Sequence, residues 1–268
     1  MIARVVQAAR AARSVSRVLV ATDHAEIAAA AQRAGAEAVM TDSGLQTGTD
    51  RVAAALRISG TSADIVVNVQ GDEPFMPPEA IDLAVQLLAR HAEAEIATLS
   101  APLRARDLLD SNKVKVVCAA PAGADALGSR ALCFSRAPIG IGREALGALL
   151  DPRGAAGTAG PEPAGTVDGS SGPIPDHGCR LHVGLYAFRA AALQQFVGLP
   201  PSPLERLEQL EQLRALEAGM HIVVGEVGGG WPGGVDTPED LRRAHAHYAE
   251  TGWPASSDQS AGSGQPAG

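Results

Sequence analysis

What most restricts the fold of this chain is an alternation of two periodicities. Short runs dense in Val, Ile, Leu and Ala occur at 18–22, 36–41, 64–70, 95–101, 113–119, 131–135, 181–188 and 221–227. Between several of them lie Ala- and Leu-rich stretches with helical spacing, at 24–34, 50–58, 78–92, 203–218 and 238–249. A strand that is apolar on successive residues must be covered on both faces, and helices between such strands supply the cover. The expected class is α/β, with a doubly wound and mostly parallel sheet. Sheets of this kind bind ligands outside the carboxyl ends of their strands. The residues that end each run are therefore where chemistry is to be sought.

Composition narrows the partners. The chain has 268 residues, 46% hydrophobic and 19% charged, which suits one globular domain. Aromatic residues are 3% of it, so the core must be built from Ala, Val, Leu and Ile. With 22 Lys and Arg against 30 Asp and Glu, the net charge is −8. Such a chain is not expected to hold nucleic acid by bulk electrostatics, and an anionic substrate must be met by a local cluster of cations or N–H groups. Cys118, Cys133 and Cys179 are far apart, with no C-x-x-C spacing. They fit reduced, mostly buried thiols in a cytoplasmic protein. No apolar run approaches the ~20 residues of a membrane span, and the first residues lack the regions of a signal peptide.

Three segments stand apart from the alternation. Residues 2–13 (IARVVQAARAAR) predict a helix with Ile2, Val5, Val6 and Ala9 on one face, and no strand precedes it. Residues 151–178, rich in Gly, Ala and Pro, read as a flexible surface insertion, and 254–268 as a disordered tail.

The run at 64–70 ends in QGDEP. Gly71 lets a ligand approach the backbone there, and Asp72 projects beyond the strand end. Two readings stand. A carboxylate in that place serves as a ligand for Mg²⁺ bound to a nucleoside triphosphate, and Gly, Asp and Pro also make an ordinary turn. In GGVDTPEDL (233–241), Thr237 and Asp240 have the form of a capping box around Pro238. Asp236 is then not needed as a cap and is either a second metal ligand or one more loop acid.

QTGTDR (46–51) is a turn running into a helix, so the N-terminal amides around Gln46, Thr47, Gly48 and Thr49 are candidates to hold an anion or a base edge, as of a nucleotide. Arg51 is badly placed for the helix dipole and predicts a counter-charge elsewhere. In 202–219, Ser202 and Glu205 form a capping box and Gly219 ends the helix. Its Leu204, Leu207, Leu210, Leu213 and Leu216 fan over about two-thirds of the circumference. This predicts cover from the core and from a second subunit. Glu211 falls on that apolar side, either neutralised by Arg214 or receiving substrate hydroxyls. Alternation puts His182, Gly184 and Tyr186 on one face of a strand, His182 as core or ligand, and Arg136 closes another strand in a place suited to a carboxylate.

Taken in order, VLVATDHAEIA, QTGTDR, VVNVQGDEP, NKVKVV, CFSRAPI, HVGLYAF, PSPLERLEQLEQLR and GVDTPEDL resemble the 3-deoxy-manno-octulosonate cytidylyltransferases, the CMP-Kdo synthetases of bacterial lipopolysaccharide biosynthesis. The resemblance covers the chain to about residue 250 apart from the insertion. It implies a sheet of the nucleotide-diphospho-sugar transferase type, usually in a dimer, here through the 203–218 region. It implies the reaction of CTP with an acidic eight-carbon sugar to give CMP-sugar and pyrophosphate, with Mg²⁺ held by Asp72 and Asp236. Arg51, Gln70, Arg136, His182, Tyr186, Glu211 and Gln212 would surround the sugar acid. A cytidylyltransferase for a sialic-acid type of sugar, and a non-catalytic sugar-acid-binding or dimerising remnant, are the alternatives.

Three departures qualify the resemblance. Family members open with a central strand and a PARxxSxRLPGKPL loop, whereas MIARVVQAAR here matches the helix that follows. The expected fold thus lacks its first central strand and phosphate-gripping loop, and a chain lacking them is expected to fold poorly and release no pyrophosphate. After Arg136 the family continues A-x-I-P and an aromatic residue, where this chain has Gly140 and Ile141. The insertion lengthens the loop before His182.

Overall fold

Each apolar run predicted as a strand carries one, trimmed or extended by a few residues. The computed structural model describes residues 1–104, 107–121, 127–143, 146, 179–228, 233–235 and 237–252. The expected insertion and tail, and Asp236, lie outside the described residues. In chain order the elements are α1 (Ile2–Ala11), β1 (Leu19–Thr22), α2 (Ala25–Arg33), β2 (Glu37–Met40), α3 (Gly48–Ile58), β3 (Ile65–Asn68), α4 (Pro78–Arg90) and β4 (Ile96–Ala101). There follow β5 (Lys115–Cys118), β6 (Ser129–Ser135), β7 (Cys179–Arg189), α5 (Ala190–Gly198), α6 (Pro203–Glu208), α7 (Gln212–Glu217), β8 (Ile222–Glu226) and α8 (Pro238–Thr251). They gather into two compact units, one of residues 1–86, 185–197 and 230 onward, the other of 87–184 and 198–229.

In unit 1, β1 and β2 pair in parallel from Leu19 opposite Glu37 to Thr22 opposite Met40. α1 buries Val5, Val6, Ala8 and Ala9, the stripe its spacing predicts. Val6 packs with Val20, Ala31 and Ala36, and Ile2, Val18, Ala34 and Ala38 lie against them. β3 runs antiparallel to the second half of β7, with Asn68 opposite Tyr186. In unit 2, β4 and β8 are parallel, β8 and β6 antiparallel, and β5 antiparallel to both β6 and the first half of β7. β7 also neighbours β4, so these strands close on themselves.

Two expectations are corrected. The described strands form two sheets rather than one mostly parallel sheet: β1–β2 is a parallel pair by itself, and the six-stranded sheet is mixed, with β4–β8 parallel but β3–β7, β5–β6, β5–β7 and β6–β8 antiparallel. Unbroken apolar runs report burial, complete along β4 and partial along β2 and β6, and say nothing of strand direction. The single helix expected over 203–218 is two helices. Gln209 adopts φ 53 and ψ 48, the one non-glycine with positive φ among the described residues, and separates α6 from α7. Leu210 is then buried, while Leu204 and Leu207 of α6 remain 47% and 79% exposed. α5, which follows β7 without a loop and buries Ala192, Leu193 and Phe196, was hidden by the apolar run before it. Both capping boxes form, Ser202 with Glu205 and Thr237 with Asp240.

Candidate active site

In unit 1 the candidates collect at the carboxyl end of β3. Asn68, the last residue of the strand, is buried and donates its Nδ2 to Thr49 Oγ1 at 3.2 Å. Thr49 has no exposed surface. Thr47 caps α3 by accepting the Asp50 N–H at 3.1 Å, so the 46–49 turn delivers the positive end of α3 beside the strand. The turn lies against the QGDEP loop: a Cβ on Gly48 would stand in ordinary contact, 3.6 Å from Gln70 Oε1. Gln70 accepts the Glu73 N–H at 3.3 Å and so folds the QGDEP loop back. Asp72 is half-buried, and its carbonyl accepts the Val235 N–H at 2.9 Å. That bond ties the Asp72 loop to the segment entering Asp236. Tyr186, opposite Asn68, is buried with its ring 6.1 Å from that of Phe188.

The counter-charge predicted for Arg51 is Asp23, just beyond β1. The guanidinium lies 3.4 Å from Asp23 Oδ2 and donates to Thr41 Oγ1 at 2.7 Å, bridging the carboxyl ends of β1 and β2. Sequence reasoning missed Asp23 and Thr41, whose signal is a TD pair at the end of each run, Thr22–Asp23 and Thr41–Asp42. A cleft of about 480 Å³ in this unit, lined by Arg13, Ser14, Glu79, Asp82 and their neighbours, contains none of the candidates. Burial works against an ionised Asp82. The Ser14 hydroxyl and the N–H groups of Ser14 and Arg13 outweigh it and hold the carboxyl below its usual range.

Among the described residues no three His, Cys, Asp or Glu side chains are grouped to hold a metal. A structural zinc site would need such a group, whereas Mg²⁺ takes one or two carboxylates and completes its octahedron with phosphate and water. A half-buried Asp72 on a fastened loop fits that donor set.

In unit 2 the His182 Nε2 lies 2.9 Å from Thr98 Oγ1, its backbone N–H reaches Val114 O at 2.8 Å, and its ring meets Phe134 edge-on at 5.1 Å. Desolvation pushes its pKa down to about 3, so the ring is neutral and works as a hydrogen-bonding group rather than as a cation. Arg136 does not present an open fork. Its guanidinium donates to the carbonyls of Glu208 at 2.8 Å, Ser111 at 2.9 Å and Gln209 at 3.3 Å. The Arg214 guanidinium joins Glu205, at 2.8 and 2.5 Å, both residues being buried. Glu211 is half-buried at the entrance to α7. Gln212 behind it is 4% exposed, and its Nε2 has no partner among the described residues.

Lys115, which sequence reasoning passed over, has no exposed surface and donates to the carbonyls of Asp110, Lys113 and Arg136. Desolvation pushes its ammonium below the ordinary lysine value. Burial raises the Cys118 and Cys179 thiols to about 11, leaving them protonated and inert, while Cys133 is exposed.

A cytidylyltransferase family model matches residues 1–222. A 3-deoxy-manno-octulosonate cytidylyltransferase of Xanthomonas campestris pv. campestris is 46% identical over 252 residues, 93% of this chain and 89% of that protein. One from Anaeromyxobacter is 47% identical over 250 residues, 93% and 86% of the two chains. The solved structure of CMP:2-keto-3-deoxy-manno-octonic acid synthetase complexed with CTP superposes with a TM-score of 0.74 at 31% identity, covering 93% of this chain and 87% of that one. The likeness agrees with an α/β fold of the nucleotide-sugar transferase type. The chain belongs to the cytidylyltransferase family.

Proposed function

We propose that this chain is a CTP-dependent nucleotidyltransferase that activates 3-deoxy-D-manno-octulosonate to CMP-Kdo with release of pyrophosphate, for lipopolysaccharide biosynthesis. The observation that carries the reading is the gathering of Gln46–Thr49, Gln70 and Asp72 at the carboxyl end of β3, in a chain 46% identical to proteins named for this reaction. The 46–49 turn offers the N–H groups of the first turn of α3 to the nucleotide. Asp72 and Asp236 would hold Mg²⁺, which when bound neutralises charge on the triphosphate. The anomeric hydroxyl of the sugar acid attacks the α-phosphorus in line, pyrophosphate leaves, and the hydroxyl proton passes to solvent.

Recognition of the sugar acid falls to uncharged or internally balanced groups. His182, neutral and fixed to Thr98, offers a hydrogen bond without a charge. Gln212 has a buried amide N–H₂ to donate, Glu211 can accept from hydroxyls, and Tyr186 and Gln70 flank the end of β3. Arg136, used on carbonyls, acts on the sugar acid through what it holds in place. The exposed Leu204 and Leu207 are the proposed contact with a second copy. Among the described residues no helix is long and apolar enough to cross a membrane, and the cytoplasm, where CTP is available, is the proposed location of the reaction.

The test is pyrophosphate release from CTP and Mg²⁺ with a panel of sugar acids. Release with the eight-carbon acid well above release with a sialic acid is expected. Release with sialic acid alone, or with neither, would overturn the reading.

A further inference from the structure

Glu208 closes α6, one residue before the left-handed Gln209. Its carboxylate accepts the Ser135 hydroxyl at 2.7 Å and the Arg136 N–H at 3.0 Å. Arg136 returns the contact, donating its guanidinium to the Glu208 and Gln209 carbonyls. These are carbonyls that a helix end leaves without intrahelical partners. The Arg136 carbonyl is in turn held by Lys115 Nζ. The end of β6 and the elbow between α6 and α7 are thereby locked by bonds in both directions. Asp110 and Glu208 are the carboxylates whose charge bears on Lys115 there, and of the two it is Glu208 that accepts from Ser135 and Arg136. Downstream of the elbow stand Leu210, buried as an anchor, then Glu211 and Gln212, whose Nε2 is buried without a partner among the described residues.

A residue at φ 53 that is not glycine needs its surroundings to hold it there. We propose that Glu208 is a positioning residue for the sugar acid: by locking Ser135 and Arg136 to the end of α6 it fixes the Gln209 elbow and aims Glu211 and Gln212. The inference rests on the cytidylyltransferase reading and adds to it a residue that touches no substrate.

The experiment is steady-state pyrophosphate release with each substrate varied in turn, on the whole chain, for Glu208→Ala and for Ser135→Ala, which removes one of the two bonds. Loss of a charge-assisted hydrogen-bond pair predicts a KM for the sugar acid raised about tenfold in Glu208→Ala, with the KM for CTP within about twofold. Ser135→Ala should move the same way by about threefold. A purely structural role would lower both apparent affinities, or yield, without a split. Folded Glu208→Ala with an unchanged sugar-acid KM, or with both KM values raised together, overturns the proposal. Should Glu208→Ala not fold, the split or its absence in Ser135→Ala decides. If the unsubstituted chain uses no sugar acid, the functional reading fails, and this inference with it.

Discussion

Among the described residues, the buried charged side chains Lys115, Glu205 and Arg214 all lie in unit 2, while the buried polar groups of unit 1 are the uncharged Thr22, Thr41, Thr49 and Asn68. Unit 1 holds its nucleotide-side candidates on a frame of small apolar residues, Ala31, Ala36, Ala53, Ala54 and Ala55 beside Val6 and Val20. Unit 2 holds its sugar-side candidates with ions whose hydrogen bonds are directional. Small apolar residues set a distance between elements but leave orientation loose. A buried ion is costly unless its geometry is met, and so it specifies a position. The difference follows the tasks proposed for the 46–49 turn of unit 1, which meets the nucleotide, and for His182, Glu211 and Gln212 of unit 2, which meet the sugar acid. A helix N-terminus tolerates some latitude in where a phosphate lies, whereas hydroxyl groups on a sugar acid must meet individual donors and acceptors.

The largest effect should come from unbalancing unit 2. Glu205→Gln leaves Arg214 buried without its carboxylate and is expected to destabilise by about 3–5 kcal/mol. Chemical denaturation monitored on unit 2 measures it, and a loss below about 1 kcal/mol would show that the buried ions do not distinguish the units.

Next is Asp72→Asn, which alters chemistry in unit 1 without touching its frame. Turnover should fall about 10²-fold with the midpoint of thermal unfolding unchanged. Turnover within about threefold of the unsubstituted chain would remove Asp72 from the metal site.

A pH titration sharpens the comparison further. His182 has its folded pKa pushed far below the ordinary histidine value of 6.5, to about 3. The unfolded chain therefore binds the proton more readily, and the contribution is intact above pH 6.5 and drains as pH falls toward 3. The slope contributed is at most about 1.4 kcal/mol per pH unit. His182→Gln should flatten that part of the stability profile, and an identical profile would mean that the ring is better solvated than its packing indicates.

The smallest effects lie in local openings. Among the described residues β1 pairs with β2 alone and β3 with β7 alone, whereas the strands of unit 2 close on themselves. Amide exchange in β1 and β3 should exceed that in β4 by about tenfold or more, and equal protection would erase the contrast between frames. On α6, Leu207→Glu should shift stability by less than about 0.5 kcal/mol, since the side chain is 79% exposed. It should still lower the mass found by sedimentation if the helix meets a second copy, and an unchanged mass would exclude that face.

What the sequence by itself determined is local. The apolar runs became strands because an extended segment packed in a core demands that composition, most fully in β4, which is buried at every position, and the two capping boxes and the α1 stripe formed because their determinants lie within a turn or two of each other. The candidates around β3 were legible for the same reason: a glycine, an acid and a proline at a strand end are neighbours in the chain. Strand direction, the break at Gln209, the Asp23 partner of Arg51 and the use of Arg136 on carbonyls were decided by the tertiary structure. Each depends on groups far apart in sequence. An Arg at a strand end carries the same letter whether it awaits a carboxylate or already satisfies the end of a helix more than 70 residues away, as Arg136 does for Glu208 with a sequence separation of 72. Only the fold supplies the partner, and the partner decides the role.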